Sequence, residues 1–348
     1  MLPGGIAKVK VRCISCGCAR KKREYMCRSC GSLFEIIPEK KYRGNLKEDF
    51  PYISQWVNLG ETETPMISGD AISFKLDYYH PTYSYKDRGS RTLVSWIKSD
   101  MGTERPLNED SSGNAGASIA AYGRKAGFQV NIFASEGSNM AKIRQIEAYG
   151  AKVHFVNGSR EEVAYAAMNA SGVYAGHGYV PEFRDGIRTL AYEIFNQNSG
   201  KVPDRIFLPL SAGTLFLGVY SGFSHLLESG EIKELPKFVV VQPEGIDPVC
   251  SAVNGNTFDP EENRKSIADA LVTRKPPLKE KILKNLKEGG RCVSVDDDEI
   301  MVAWKKLAGM GILTEYSSAA AYAAYLKKPM GEKPLIVLTG NGLKSISA

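Results

Sequence analysis

Residues 111–134 read SSGNAGASIAAYGRKAGFQVNIFA. Ala115 to Ala126 has the small-residue composition of a closely packed helix, and Gln129 to Ala134 that of a buried strand. Hydroxyls and glycine in Ser111-Ser112-Gly113-Asn114-Ala115-Gly116 precede the helix. Free backbone N–H groups at a helix start make such a turn an anion cradle, of a kind suited to a carboxylate. The same alternation continues outward. Strands are expected at Ile72–Tyr78, Lys152–Val156, Arg205–Leu210, Phe238–Gln242 and Leu335–Leu338, and helices at Asp87–Lys98, Ala141–Tyr149 and Ile187–Asn196. Strands separated by helices indicate parallel sheets, hence an α/β fold. The Asn-, Lys- and Pro-rich stretch 254–290 reads as loop with a surface helix.

The chain has 348 residues, of which 43% are hydrophobic and 24% charged. That length suits two compact domains plus a small module. No apolar run reaches the roughly 18–20 residues a membrane span needs, and the N-terminal residues lack a secretory apolar core. A cytoplasmic protein with seven cysteines, reduced unless metal-bound, is expected. The net charge of +6 is localised: residues 1–47 carry twelve Lys/Arg against three Asp/Glu. Such a segment suits a solvated basic module, with a nucleic-acid surface as the alternative.

That segment contains Cys13-Ile-Ser-Cys16-Gly17 and Cys27-Arg-Ser-Cys30-Gly31. Each CxxC places two thiolates on one tight turn, and the glycine relieves it. Two such turns give a tetrahedral four-cysteine zinc site of structural type, because four thiolates leave no open position. Cys18 is a competing fifth thiol. A module this short needs the metal to fold.

Three further segments sit at strand ends or helix starts, where α/β proteins place ligands. Lys86, in Tyr83-Ser-Tyr-Lys-Asp-Arg-Gly89, lies at a helix start, whose dipole favours the neutral, nucleophilic amine. Ser211-Ala212-Gly213-Thr214 follows an apolar strand and lets backbone N–H groups approach a phosphate. Leu338-Thr339-Gly340-Asn341-Gly342-Leu343-Lys344 follows the C-terminal strand, with Thr339 placed to bond a ring nitrogen.

These motifs resemble those of the fold-type II pyridoxal-phosphate enzymes (tryptophan synthase β-like), and among them the threonine synthases, archaeal type with an N-terminal zinc ribbon. Pro81–Gly89 is similar to the family's PTGSFKDRG, Ser111–Asn114 to STGN, and Thr339–Lys344 to TGHGLK. Glu61–Pro65 resembles GNTPL, and Tyr149-Gly150-Ala151 with Lys142 a helix–strand junction. The resemblance runs from about residue 60 to the C-terminus. It implies two open, twisted, mostly parallel sheets, with a ribbon at 1–37, a large cofactor domain at 38–86 and 186–348, and a small mobile domain at 87–185. It implies that Lys86 carries pyridoxal 5'-phosphate, Asn114 meets the ring hydroxyl, Ser211, Ala212, Gly213 and Thr214 hold the phosphate, and Thr339 meets the pyridine nitrogen. Ser111, Ser112 and Ala115 would face the substrate carboxylate. Arg184 and Lys142 would hold the substrate phosphate, with His177 substituting for a companion Asn if its loop shifts. Arg144 and Arg188 are further cationic candidates.

The implied reaction turns O-phosphohomoserine and water into threonine and phosphate. A cysteate synthase, an O-phosphoserine sulfhydrylase and a threonine/serine dehydratase are the related alternatives. A nucleic-acid-binding zinc-ribbon protein on a degenerate enzyme fold is the non-enzyme alternative. Partners implied are a small phosphorylated amino acid and a second copy in a homodimer, with neither membrane nor nucleic acid.

Overall fold

The computed structural model describes residues 9–262 and 264–345. Its strands are β1 (Lys10–Cys13), β2 (Phe34–Ile37), β3 (Met66–Ser68), β4 (Ser73–Leu76), β5 (Leu107–Glu109), β6 (Val130–Ser135), β7 (Lys152–Val156), β8 (Val173–Tyr174), β9 (Arg205–Pro209), β10 (Lys237–Pro243), β11 (Arg291–Val295) and β12 (Leu335–Leu338). Its α-helices are α1 (Leu46–Asp49), α2 (Lys86–Met101), α3 (Asn114–Ala126), α4 (Met140–Ala148), α5 (Arg160–Asn169), α6 (Pro181–Ile187), α7 (Thr189–Gln197), α8 (Thr214–Ser229), α9 (Pro248–Asn254), α10 (Lys279–Leu286), α11 (Asp297–Gly309) and α12 (Tyr316–Lys327). None is long and apolar enough to cross a membrane.

The chain forms two compact units. The first joins Met1–Glu61 to Lys86–Thr189, and the second joins Thr62–Tyr85 to Leu190–Ala348. The connector 38–60 was expected with the larger domain, yet it packs in the first unit. Tyr52 donates to Asp185 Oδ2 at 2.5 Å. The Val57 amide donates to Ser95 Oγ at 2.9 Å, and Trp56 lies under the Arg91 guanidinium at 5.2 Å.

The first unit holds a parallel sheet ordered β7-β6-β5-β8. Strand order reverses between β5 and β8, so this sheet has a topological switch point there. Such a reversal opens a crevice beyond the carboxyl ends of the two strands. The antiparallel hairpin β1-β2 belongs to the same unit. The second unit's sheet, β11-β10-β9-β12-β4-β3, is parallel except for β3. Its central strands are buried along their length, notably Val239–Val241 and Leu335–Leu338. Continuous apolar runs are what a parallel sheet covered on both faces requires.

Two expectations are corrected. The helix expected from Ile187 begins at Thr189, because Arg188 turns inward, its Nε 2.8 Å from Asp185 Oδ1, and separates α6 from α7. The seven cysteines are not all thiols or metal ligands: Cys250 and Cys292 form a disulfide between α9 and β11. Their backbones meet only through the packing of α9 against the β11 edge, 42 residues apart in sequence, so no local motif announces the pair.

Candidate active site

In the first unit, Lys86 is the first residue of α2 and Asn114 the first of α3. Ser118 Oγ donates to Asp87 Oδ1 at 2.6 Å, which sets the N-terminal turns of these two helices side by side. The Lys86 Nζ lies 5.9 Å from the centre of the Phe183 ring. Ahead of α3, the Gly113 amide donates to Ser111 Oγ at 3.3 Å. No side chain caps α3, and a helix N-terminus of this kind suits an anion. A Cβ at Gly116 would fall 1.8 Å from the Ser111 carbonyl oxygen, so glycine is what lets the 111–113 turn fold onto the helix. Ser111, Ser112 and Ala115 thus share one cradle with Asn114, while Lys142 is buried on α4.

In the second unit, Ser211–Thr214 follows β9 and Thr339 follows β12, and these are neighbouring strands. Gly213 has φ +94°, and a Cβ there would meet Ile282 Cδ1 at 2.4 Å. The 16-residue α8 begins at this turn without a side-chain cap. Backbone amides, the Ser211 hydroxyl and Thr273 Oγ1, 2.7 Å from it, form a neutral donor set that fits a phosphate. Thr339 Oγ1 lies 2.9 Å from Ser318 Oγ, which also accepts from the Thr339 and Gly340 amides at 3.0 and 2.8 Å. An uncharged hydroxyl held this way suits a pyridine nitrogen. Both motifs therefore fit pyridoxal phosphate.

Two of these residues escape sequence reasoning. Ser318 lies in the small-residue helix α12 and Thr273 in the stretch read as loop, and neither carries a signal. The Glu109-Asp110 pair just ahead of Ser111 is a weak one. Glu109 ends β5, fully buried, and its Oε1 lies 2.7 Å from His177 Nδ1. The His177 amide donates to its Oε2 at 3.2 Å. Burial, reinforced by Asp110, holds the Glu109 carboxyl well above the usual range. Burial and the Lys86 charge hold the His177 imidazole well below its own.

Arg184 lies on α6. Its guanidinium is buried and donates to the carbonyls of Phe34, in β2, and Gly178. Burial brings it down to about 10, still charged at neutral pH. It ties α6 to β2. Arg188 is likewise internal, 4.0 Å over the Phe50 ring.

The cysteine sulfurs of residues 13, 16, 27 and 30 all lie within 4.8 Å of one another. Cys13–Cys30 and Cys16–Cys27 are separated by 3.4 and 3.6 Å. Metal–sulfur bonds of about 2.3 Å in a tetrahedron require sulfurs roughly 3.8 Å apart, so the cluster is the right size for a metal. Cys18 is exposed and lies outside it.

A lysine opening a helix, a hydroxyl-lined cradle and an uncapped phosphate turn on α/β units define a pyridoxal-phosphate enzyme of fold type II. The comparisons agree: residues 57–340 match the family described as pyridoxal-phosphate dependent enzyme, and the chain belongs to it. A threonine synthase of Methanosarcina acetivorans is 30% identical over 374 residues, covering 96% of this chain and 92% of the relative. That of Methanocaldococcus jannaschii is also 30% identical, covering 97% and 93%. The chain is thus an enzyme of lyase type, similar to threonine synthases. Solved structures share the fold. A fungal L-serine ammonia-lyase from Rhizomucor miehei superposes with TM-score 0.68 at 19% identity, covering 82% of this chain and 95% of that one. The processed form of a threonine deaminase from Solanum lycopersicum gives 0.65 at 22% identity, covering 80% and 79%.

Proposed function

We propose that this enzyme converts O-phosphohomoserine and water to threonine and phosphate, with Lys86 as the residue that carries pyridoxal phosphate. The observation supporting it is the 30% identity to threonine synthases over nearly the whole chain, with Lys86 in place in its motif. When bound, the cofactor supplies an electron sink for charge left at the substrate Cα. Lys86 takes the Cα proton and returns it. The α3 amides, with Ser111, Ser112, Asn114 and Ala115, hold the substrate carboxylate and orient the Cα–H bond toward that amine. Asn114 also meets the ring hydroxyl, Ser211–Thr214 the cofactor phosphate, and Thr339 the pyridine nitrogen. Arg184, Lys142 and Arg144 are the cationic candidates for the substrate phosphate. The smaller domain closes to keep water out until the replacement step needs it.

The four-cysteine cluster holds a structural zinc in this reading, and the protein works as a cytoplasmic homodimer. The test is a substrate panel on the yellow, cofactor-loaded protein, with Lys86→Ala as control. Phosphate release from O-phosphohomoserine matched by threonine supports the reading. Keto acid from threonine or serine, or sulfite-dependent turnover of phosphoserine, replaces it with a related lyase.

A further inference from the structure

The turn that opens the Ser111–Asn114 cradle is held at both ends. At its far end, Gly116 lets the Ser111 carbonyl fold onto α3. At its near end, a side-chain pair reaches across the reversal in strand order. Tyr174, the last residue of β8, stands opposite Asn108 in the parallel register with β5. Its hydroxyl donates to Asp110 Oδ1 at 2.8 Å, and Asp110 directly precedes Ser111. Tyr174 is buried, and its ring folds over Gly176: a Cβ there would fall 2.0 Å from the phenol oxygen. Glycine at 176 is therefore what admits the phenol to this place. The cysteine ribbon braces the same ring. Tyr25, which lies between the two CxxC turns, meets it edge-to-face with ring centres 5.0 Å apart. Burial raises the Asp110 carboxyl above its ordinary range, and the Tyr174 hydroxyl works against that shift.

Neither tyrosine nor Asp110 has a part in the proposed reaction. A carboxylate close to an anion cradle repels a second carboxylate, so Asp110 is misplaced there unless its side chain has another task. A hydrogen bond to a buried carboxyl group fixes the backbone that carries it. We propose that Tyr174, acting through Asp110, is a positioning residue for the substrate's α-carboxylate, and that Tyr25 extends the ribbon's support to the same cradle. The inference rests on the proposed lyase function, in which the cradle takes that carboxylate. It concerns the group that all α-amino acids share, so the side chain of the ligand is immaterial to it. The ribbon then contributes to amino-acid affinity through the Tyr25 ring.

The test is equilibrium binding to the cofactor-loaded protein, read from the change in its visible spectrum. It compares 2-aminobutyrate with propylamine, its counterpart without the carboxyl group. Tyr174→Phe, which keeps the ring and loses the hydroxyl, should weaken 2-aminobutyrate about threefold to tenfold and leave propylamine within twofold. Alanine should weaken by the same factor as 2-aminobutyrate. Asp110→Asn keeps an acceptor for the phenol and should bind 2-aminobutyrate within twofold of wild type or more tightly. Tyr25→Leu should show the same carboxylate-specific loss by a smaller factor. Equal losses for amino acid and amine in Tyr174→Phe, or no loss for either, overturn the assignment while leaving the lyase reading intact. So does a loss in Asp110→Asn as large as that in Tyr174→Phe. Unchanged binding in Tyr25→Leu overturns the ribbon's share. If Tyr174→Phe does not fold, Asp110→Ala decides: a carboxylate-specific loss supports the assignment and its absence overturns it. Wild-type protein that binds neither amino acid overturns the lyase reading and this inference with it.

Discussion

Removing the carboxylate of Glu182 should destabilise the first unit far more than loss of a surface ion pair would. Arg20 Nη1 and Glu182 Oε1 are 2.6 Å apart, with both side chains 3% exposed. The pair is made through one bond: Arg20 Nη2 and Glu182 Oε2 are buried without partners among the described residues. In Glu182→Ala the guanidinium stays buried, keeping the Glu24 carbonyl at 3.0 Å and the Trp96 face at 5.4 Å. Breaking a buried pair costs about 3–5 kcal/mol, and the residual contacts put the value near the lower end. A domain of this size loses roughly 2–4 °C per kcal/mol, so the first transition in calorimetry should fall by about 6–12 °C.

The double variant Arg20→Met, Glu182→Leu should recover most of that loss, because the pair's attraction barely repays its desolvation. The pH dependence points the same way. Burial, working against Arg20, raises the Glu182 carboxyl above its ordinary value. The folded state then holds the proton to higher pH than the unfolded state, so stability falls as pH rises through the interval between the two values. The double variant should lose that slope. Single variants costing less than about 1 kcal/mol, or a double variant worse than either single one, would refute the argument.

Three other outcomes are expected. Metal analysis should find one zinc per chain, and Cys13→Ser should lose it together with stability of the first unit in a melt. Cys250→Ser with Cys292→Ser should lower the second unit's stability by about 4 kcal/mol for a loop of 42 residues, while alkylation of unfolded, unreduced wild type should modify five cysteines and not seven. Gly213→Val should reduce cofactor retention at dialysis, because its Cβ would strike Ile282 and its φ of +94° is one branched residues avoid.

Much of the fold is legible because its signals are local. Apolar runs such as Val239–Val241 and Leu335–Leu338 belong in parallel sheets, and the paired CxxC turns bring their sulfurs together in the structure as their spacing implies. The motifs read as candidates for cofactor binding lie at strand ends or helix starts. What stays hidden depends on tertiary pairing. Strand β5, Leu-Asn-Glu, is polar yet fully buried, because Asn131 donates to Asn108 at 3.0 Å and His177 satisfies Glu109. Helices α8 and α12 start after Gly213 and Glu315 without a side-chain cap, so no capping motif marks their starts. Arg184 is the instructive case. Its match to the family's phosphate-holding Arg could not reveal its neighbours: the guanidinium packs on β2, and Phe183, one position earlier, is the residue near Lys86.

Part of the basic charge of the N-terminal segment is engaged within the first unit. Arg20 pairs with Glu182, Arg23 Nε donates to Asp100 Oδ2 at 2.8 Å, and both guanidinium groups lie over Trp96. Arg20 is buried against α6, while Arg23 stays partly exposed beside Asp100. Helix α6 is only seven residues long and starts without a side-chain cap, so its own propensity cannot hold it. It is held by Arg20 on Glu182, the Phe34 carbonyl on Arg184, and Tyr52 and Arg188 on Asp185. Two of those four anchors belong to the cysteine ribbon, and the helix they hold carries the phenyl ring that borders both Lys86 and His177. The ribbon's contribution to the enzyme is therefore mechanical. A ribbon whose four-cysteine cluster was disrupted should give up the geometry of Arg20 and Phe34 first, and the position of Phe183 with it.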